Sequence, residues 1–359
     1  MRTFAPFCLM LVLAAAAGPA LAQKGPSPRA GWNFKFKDFV IGAWWGPGAT
    51  DAEVRIYKEA GFNVVMAGRY MQLDGYGDAA KGVKELDLAH KHGLGVMFDT
   101  YTMNDRPWGG KAGQLDGHPK HHAASLIELQ WLYKVVGRHP ALIGFMIGDD
   151  KSALTPRLID CTNFLRKTAP HLMPWICQNR ANPQSLARHG NPIYNVQIYP
   201  TLYRWRLPAA ELARRYGAAF ASMRRDSQAL DLIMWPMFNI TRYQRDSSSG
   251  FAHLESDSLT RFPLYASLAY GAQGIWYFTY NGGALQAHGK YKTEKEVRRA
   301  LTPLYPVAKE ANLRIAALAT SSSSLNKSSV PGSPRLRMSR LSLSDRPLKL
   351  IYWATCSTL

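Results

Sequence analysis

From residue 37 onward the chain alternates two hydrophobic patterns: short continuous apolar runs, and longer stretches in which apolar residues recur at helical spacing. The runs predict strands buried on both faces: Phe39 to Trp44, Asn63 to Ala67, Gly95 to Phe98, Leu142 to Ile147, Met173 to Cys177, Tyr194 to Ile198, Leu232 to Phe238 and Gly274 to Tyr277. Helix signals fall between them. Thr50-Asp51-Ala52-Glu53 reads as a capping box whose helix Gly61 closes. Val83, Leu86 and His90 mark a face on the next helix, and Leu259, Phe262, Tyr265 and Leu268 repeat at helical spacing ahead of the eighth run. Pro236 inside the seventh run removes a ladder donor, so a bulge or a shifted register is expected there. Eight strand–helix repeats predict an α/β fold, a single-domain (β/α)8 TIM barrel over residues 37–319.

The two ends break this pattern. Arg2, the apolar stretch Phe7 to Ala17 and Ala20-Leu21-Ala22 read as a secretory signal over residues 1–22, followed by a lead-in over 23–36. The apolar stretch is too short for a membrane span, so an exported protein, periplasmic or extracellular, is expected. At the other end the periodicity stops near residue 319. Eleven of the last 40 residues are serine, which leaves two readings of 320–359: a disordered basic tail, or a reading-frame slip, the abruptness favouring the second. After signal removal three cysteines remain, Cys161, Cys177 and Cys356. A Cys161–Cys177 bridge and two buried thiols on neighbouring elements are both open, the second favoured.

A chain of 359 residues and 47% hydrophobic content can fill one large core, which excludes wholly disordered and collagen-like classes. The net charge of +19 suggests a polyanionic partner at first. However, +3 lies in residues 1–30 and +5 in residues 320–359, and the remaining +11 is scattered without any nucleic-acid-binding motif. No nucleic-acid partner is therefore expected.

In this fold catalytic residues sit just after the strands. Those positions hold Trp45; Arg69 and Tyr70; Asp99, Tyr101 and Trp108; Asp149 and Asp150; Gln178; Tyr199, Tyr203 and Trp205; Asn239, Arg242 and Glu255; and Tyr280. The aromatics offer flat faces to sugar rings, or else plug the top of the core. Asp149 and Asp150 are adjacent carboxylates, and each raises the other's tendency to keep a proton, as a general acid must. Their plain alternative is helix capping. His118, His121 and His122 near Asp116 lack metal-ligand spacing, and neither metal nor cofactor is expected.

Three segments resemble the barrel glycoside hydrolases of the broad clan that contains the family 42 β-galactosidases, especially exported bacterial members. They are Tyr57 to Asn63, Leu142 to Asp150 and, above all, Ser267 to Tyr280, and the resemblance covers roughly residues 35 to 315. It implies a strand 4 ending in Asp-Glu-Pro, whose glutamate is the clan's general acid/base; Asp149 takes the aspartate place, Asp150 the glutamate place, and Lys151 replaces the proline. It also implies a nucleophilic glutamate at the end of strand 7, where this chain reads Phe238-Asn239-Ile240-Thr241-Arg242. Asp99, Glu255 and Asp257 are candidates for the second carboxylate, Asp257 having a plain capping role beside Ser256.

These readings combine into an exported glycosidase acting on O-glycosidic bonds of an oligo- or polysaccharide. Asp150 is the expected acid, Asp149 its partner and Asp99 the base or nucleophile. Trp45, Arg69, Tyr70, Tyr101, Trp108, Gln178, Tyr199, Asn239, Arg242, Glu255 and Tyr280 are the expected substrate contacts. A carboxylate separation of about 6.5 to 9.5 Å implies inversion, and about 5 to 5.5 Å retention. Two rivals stand: a non-catalytic carbohydrate-binding barrel, and a binder of acidic polysaccharide through Arg69, Arg180, Arg206 and Arg242.

Overall fold

The computed structural model describes residues 26–35, 38–67, 79–100, 126–202, 206–244 and 250–327. Its barrel strands are β1 (Val40–Trp44), β2 (Val64–Ala67), β3 (Gly95–Asp99), β4 (Leu142–Gly148), β5 (Met173–Gln178), β6 (Ile193–Ile198), the pair β7 (Ile233–Met234) and β8 (Met237–Asn239), and β11 (Gly274–Phe278). All pair in parallel, in the order β1-β11-β8-β6-β5-β4-β3-β2. A short antiparallel hairpin, β9 (Thr241–Tyr243) and β10 (Phe251–His253), rises from the end of β8. Helices α1 (Asp51–Glu59), α2 (Ala79–Lys91), α3 (Leu126–Val136), α4 (Pro156–Thr168), α5 (Pro183–Arg188), α6 (Ala209–Leu230), α7 (Asp257–Ala269), α8 (Glu294–Ala300) and α9 (Leu304–Lys327) complete the α/β alternation. This is the expected TIM barrel, and each expected strand is present within two residues of its expected bounds.

The barrel closes between β1 and β2 through the backbone and side chain of one residue, Asn63. Asn63 N–H donates to Ile41 O (3.0 Å), its Oδ1 accepts from Ile41 N (2.8 Å), and its Nδ2 donates to Phe39 O (2.8 Å). Asn63 thus replaces a ladder at the seam. Asn63→Ala strands two backbone groups and is expected to cost about 2 kcal/mol in urea unfolding; a change under about 0.5 kcal/mol would show that the seam is held otherwise.

Alternation sorts each strand's side chains between two cores. Inside the barrel four indoles, Trp44, Trp175, Trp235 and Trp276, pack together, with Trp175 stacked on Trp276 at 4.3 Å. Outside it, Tyr57, Phe62, Tyr277 and Tyr280 fill the space under the helices. Cys161 lies in this outer core and Cys177 in the inner one; both are buried, and no disulfide joins them.

Pro236 splits the seventh strand into β7 and β8, as its missing N–H requires, while its carbonyl still accepts from Trp276 N (3.0 Å). The capping box at Thr50 is only half formed. Thr50 Oγ1 accepts from Glu53 N, but the Glu53 carboxylate turns inward to Gly48 N (3.3 Å), Thr50 Oγ1 (2.9 Å) and Gln286 Nε2 (3.2 Å). There it ties the loop after β1 to the loop after β11. On α2, Leu86 and Ala89 are buried while His90 is exposed; on α7, the Leu259, Phe262, Tyr265 and Leu268 row flanks the fully buried Leu264 and Ala266. Each face is rotated from its expected position by about one residue.

Residues 26–35 cross the base of the barrel. Arg29 donates to Asp231 O (3.0 Å) and Leu232 O (3.1 Å), and Trp32 Nε1 to Gly190 O (2.9 Å). At the other end α9 runs to Lys327, eight residues past the expected boundary, and most of the proposed tail, with Cys356, lies outside the described residues. Among the described residues no helix is long and apolar enough to cross a membrane.

Candidate active site at the C-terminal ends of the strands

Strand alternation decides which side chains reach the barrel mouth. Met97, Trp175 and Asn195 sit mid-strand on the inner face and Trp235 at the break between β7 and β8, so Asp99, Cys177, Gln197 and Met237, two residues further on, form the layer above. Asp99 is 1% exposed at the end of β3. On β4 the register slips against β5 between Met146 and Gly148, which brings the next residue, Asp149, to the Cys177 thiol.

The two adjacent aspartates occupy opposite environments. Asp149 is 8% exposed; it accepts from the Asp150 backbone N–H and the Cys177 thiol, and its Oδ1 has no hydrogen-bond partner among the described residues. Burial, reinforced by the Asp150 charge, pushes its carboxyl up to about 7. Asp150 has a left-handed backbone (φ 52°) that turns its side chain out to solvent, where Oδ1 accepts from Gln197 Nε2 at 2.7 Å. Lys151, next along, is partly desolvated, which lowers its pKa. Neither aspartate caps a helix, because α4 begins at Pro156 under the side chain of Thr155. The surroundings of the pair thus differ: Asp149 is the buried carboxyl and Asp150 the solvent-facing one.

Across the mouth stands an aromatic wall. Trp45, also left-handed (φ 48°), meets Phe251 at 5.7 Å and Phe278 at 6.0 Å. Tyr199 packs on Phe278 at 5.0 Å, its hydroxyl 2.8 Å from Met237 Sδ, and Phe251 meets Phe278 edge-on at 5.3 Å. Trp45 and Asp150 are two of only three described non-glycine residues with positive φ, the third being Asp231 at the end of α6. Such conformations cost energy and concentrate where a side chain must be aimed.

Other expected contacts are placed differently. Tyr280 is fully buried against Tyr57 and Phe62 in the outer core, because the chain past β11 turns under α1; it presents no surface to a ligand. Asn239 is fully buried too, and its Nδ2 is spent on Thr201 Oγ1 and Thr241 O, both 2.6 Å away, so it locks the start of the hairpin. Gln178 is buried at the end of β5, neither amide atom having a hydrogen-bond partner among the described residues. Arg242 and Glu255 pair with each other at 2.9 Å across the hairpin. Asp257 lies in the first turn of α7 beneath the Ser256 cap, the capping role expected of it. Arg69, Tyr70, Tyr101, Trp108, Tyr203, Trp205 and the histidines at 118, 121 and 122 lie outside the described residues. Among the described residues no group of acidic, histidine or cysteine side chains could hold a metal.

Sequence reading passed over Gln197, Cys177 as a neighbour of Asp149, Phe251 and Phe278. Strand parity held the signal for three of them: counting by twos from Trp175, Asn195 and Trp276 lands on Cys177, Gln197 and Phe278. A cavity of about 300 Å³ does open at the barrel base between Arg29, Arg224, Asp231 and Tyr270. Both arginines there donate to backbone carbonyls, so it reads as part of the closure of the base.

No protein-family model and no curated protein sequence matches the chain. Among solved structures it is similar to the cold-adapted β-galactosidase of Rahnella sp. R3, at TM-score 0.50 and 14% identity, covering 82% of this chain and 57% of that one. It is also similar to the endo-β-1,4-mannanase of Thermotoga petrophila, at TM-score 0.50 and 8% identity over 80% and 78% of the two chains. A third is a catalytic mutant of Gan42B, a GH42 β-galactosidase from G. stearothermophilus, at 0.50 and 11% identity over 80% and 58%. The chain thus spans little more than half the length of either β-galactosidase. At such identities the likeness is one of fold, and the fold is the (β/α)8 barrel found in glycoside hydrolases.

Proposed function

We propose that this chain is an exported carbohydrate-active barrel that hydrolyses O-glycosidic bonds by carboxylate acid/base chemistry. The observation that carries the reading is the buried Asp149 carboxyl at the end of β4, held near a pKa of 7 beside a second carboxylate. A group so tuned keeps its proton at neutral pH and can release it to a leaving oxygen. In this scheme Asp149 protonates the glycosidic oxygen as the C–O bond breaks. Asp150, at the solvent edge, stabilises positive charge developing on the sugar. Asp99, inward-facing on the neighbouring strand, takes the proton from the attacking water or forms the glycosyl ester. Trp45, Tyr199, Phe251 and Phe278 supply the apolar face against which a sugar ring can lie. The solved neighbours, two β-galactosidases and a β-mannanase by name, make a carbohydrate the first substrate class to try.

The test is release of reducing sugar from a panel of β-linked galacto-, manno- and gluco-oligosaccharides, with Asp149→Asn as the control. Turnover that survives in that variant overturns the assignment of the acid.

One observation favours a second reading, a barrel that binds carbohydrate without cleaving it. The end of β8 carries Asn239, whose amide is committed to Thr201 and Thr241, where retaining relatives of the clan would carry a nucleophile. Saturable oligosaccharide binding in calorimetry, with no turnover across the panel, would establish that reading. Affinity for acidic polysaccharide through Arg242 is disfavoured by its ion pair with Glu255. Binding to neutral glycans is expected to change little as salt rises from about 0.05 to 0.5 M, whereas a polyanion site would weaken steeply.

A further inference from the structure

We propose that Gln197 and Cys177 are positioning residues for the aspartate pair, holding the Asp149–Asp150 turn so that a backbone N–H and a thiol both point at the buried Asp149 carboxyl. The proposal rests on the acid/base reading of Asp149 and deepens it. Gln197 Nε2 lies 2.7 Å from Asp150 Oδ1 and 3.4 Å from Cys177 Sγ, so one amide spans the end of β4 and the end of β5. Cys177 contributes twice: its carbonyl accepts from Lys151 N (3.2 Å), and its thiol reaches Asp149. Together these bonds brace the left-handed Asp150, whose own N–H is the other donor to Asp149.

A bond to Asp150 from β6, two strands away across β5, is more than the turn needs in order to close. The left-handed region costs aspartate some energy, and the bond from Gln197 on β6 helps to hold it there. The result is a ring, Asp149–Cys177–Gln197–Asp150, that separates the two carboxylates into one buried and one solvated. The groups facing Asp149 are Asp150 and Lys151 on its own loop, Cys177 on β5 and Tyr199 just past β6; Asp99 stands at the end of β3. Cys177 is kept a neutral thiol by its burial and by the nearby carboxylates, so it can only donate to Asp149 as an S–H.

The experiment needs no substrate. Protein labelled with 13C at the aspartate carboxyls is titrated by NMR from about pH 4 to 9, with Asp149 assigned through Asp149→Asn. In Cys177→Ala and in Gln197→Ala the Asp149 midpoint is expected to rise by about half a unit to one unit, because its ionised form loses a donor or the alignment of one. Cys177→Ser keeps a donor and is expected to restore the wild-type midpoint. Cys161→Ala, a buried thiol on α4 in the outer core, is expected to leave the midpoint in place. Midpoints within about 0.2 unit of wild type in both alanine variants, with native circular dichroism, would overturn the proposal. Should Gln197→Ala not fold, Gln197→Glu keeps the packing and replaces the donor with a third carboxyl, and an unmoved midpoint there decides equally against it. If the protein cleaves no glycoside, the titration still tests the ring. If Asp149→Asn abolishes turnover while the midpoint never moves, the ring falls and the acid assignment stands.

Discussion

Asp149→Asn is expected to abolish glycoside hydrolysis, by about 10²- to 10⁴-fold for loss of a general acid, while making the protein more stable above neutral pH. Both effects follow from one number. The Asp149 carboxyl sits at about 7 in the folded barrel against 3.8 unperturbed, chiefly through burial and secondarily through the Asp150 charge. Between those values the folded chain holds a proton that the unfolded chain has released. The folded-state pKa is raised, so this favourable contribution is complete below about pH 4 and is lost as pH climbs through 7, a swing of at most about 4 kcal/mol. Asparagine cannot ionise, so at pH 8 the variant escapes the cost of a buried carboxylate, whereas at pH 5 it lacks only a neutral acid. Because pH 5 already lies above 3.8, part of the swing is spent there too, so the variant's advantage in urea unfolding should be larger at pH 8 than at pH 5, by about 2 to 3 kcal/mol. A variant destabilised equally at both would mean that Asp149 is ionised throughout, and the acid role would fall with it. For the wild type, kcat/KM should decline on the alkaline side with a midpoint near 7, since only the protonated form can donate.

The barrel was legible because its signal is redundant. Eight apolar runs each announced a strand buried on both faces, and no single run had to be read correctly for the fold to follow. Even Pro236 was informative, marking the break between β7 and β8. Position along the chain also placed Asp149, Asp150, Asp99, Trp45 and Tyr199 at the mouth, since each directly follows or ends a strand. What sequence could not supply was the environment of each. Asp149 and Asp150 are chemically identical neighbours, and only the register slip in β4 and the left-handed turn at Asp150 decide which is buried. Tyr280 and Asn239 are fully buried for a related reason: past the end of β11 the chain carries Tyr280 into the outer core, and Asn239, the last residue of β8, turns its amide to Thr201 and the backbone of Thr241. Glu53 shows the same limit at a helix start. Its spacing from Thr50 promised a reciprocal cap, yet Gln286, distant in sequence, competes for the carboxylate, while the same spacing at Thr293 and Glu296 gives a complete box where no such competitor intrudes.

Gly274→Ala is expected to cost more than about 4 kcal/mol, enough to prevent folding, even though alanine is the smallest possible addition. The inner core explains why. A Cβ at Gly274 would overlap the Trp235 indole nitrogen, and Trp235 cannot withdraw because Trp175 and Trp276 hold its ring at 6.0 and 5.6 Å. The pattern recurs across the barrel: a Cβ at Gly42 would sit 2.9 Å from the Trp276 ring. Glycines on β1 and β11 are thus the space into which large indoles fit, and the tryptophans were chosen by the same packing that excludes a side chain opposite. This coupling makes the prediction testable beyond a failure to express. Trp235→Ala alone should cost about 3 to 5 kcal/mol through the cavity it leaves, yet it removes the clash. In that background Gly274→Ala should therefore cost little more, giving an interaction energy of several kcal/mol in the double-mutant cycle. Additive costs would mean that the strand backbone, not the indole, objects to the methyl group, and the account of how this barrel is filled would have to change.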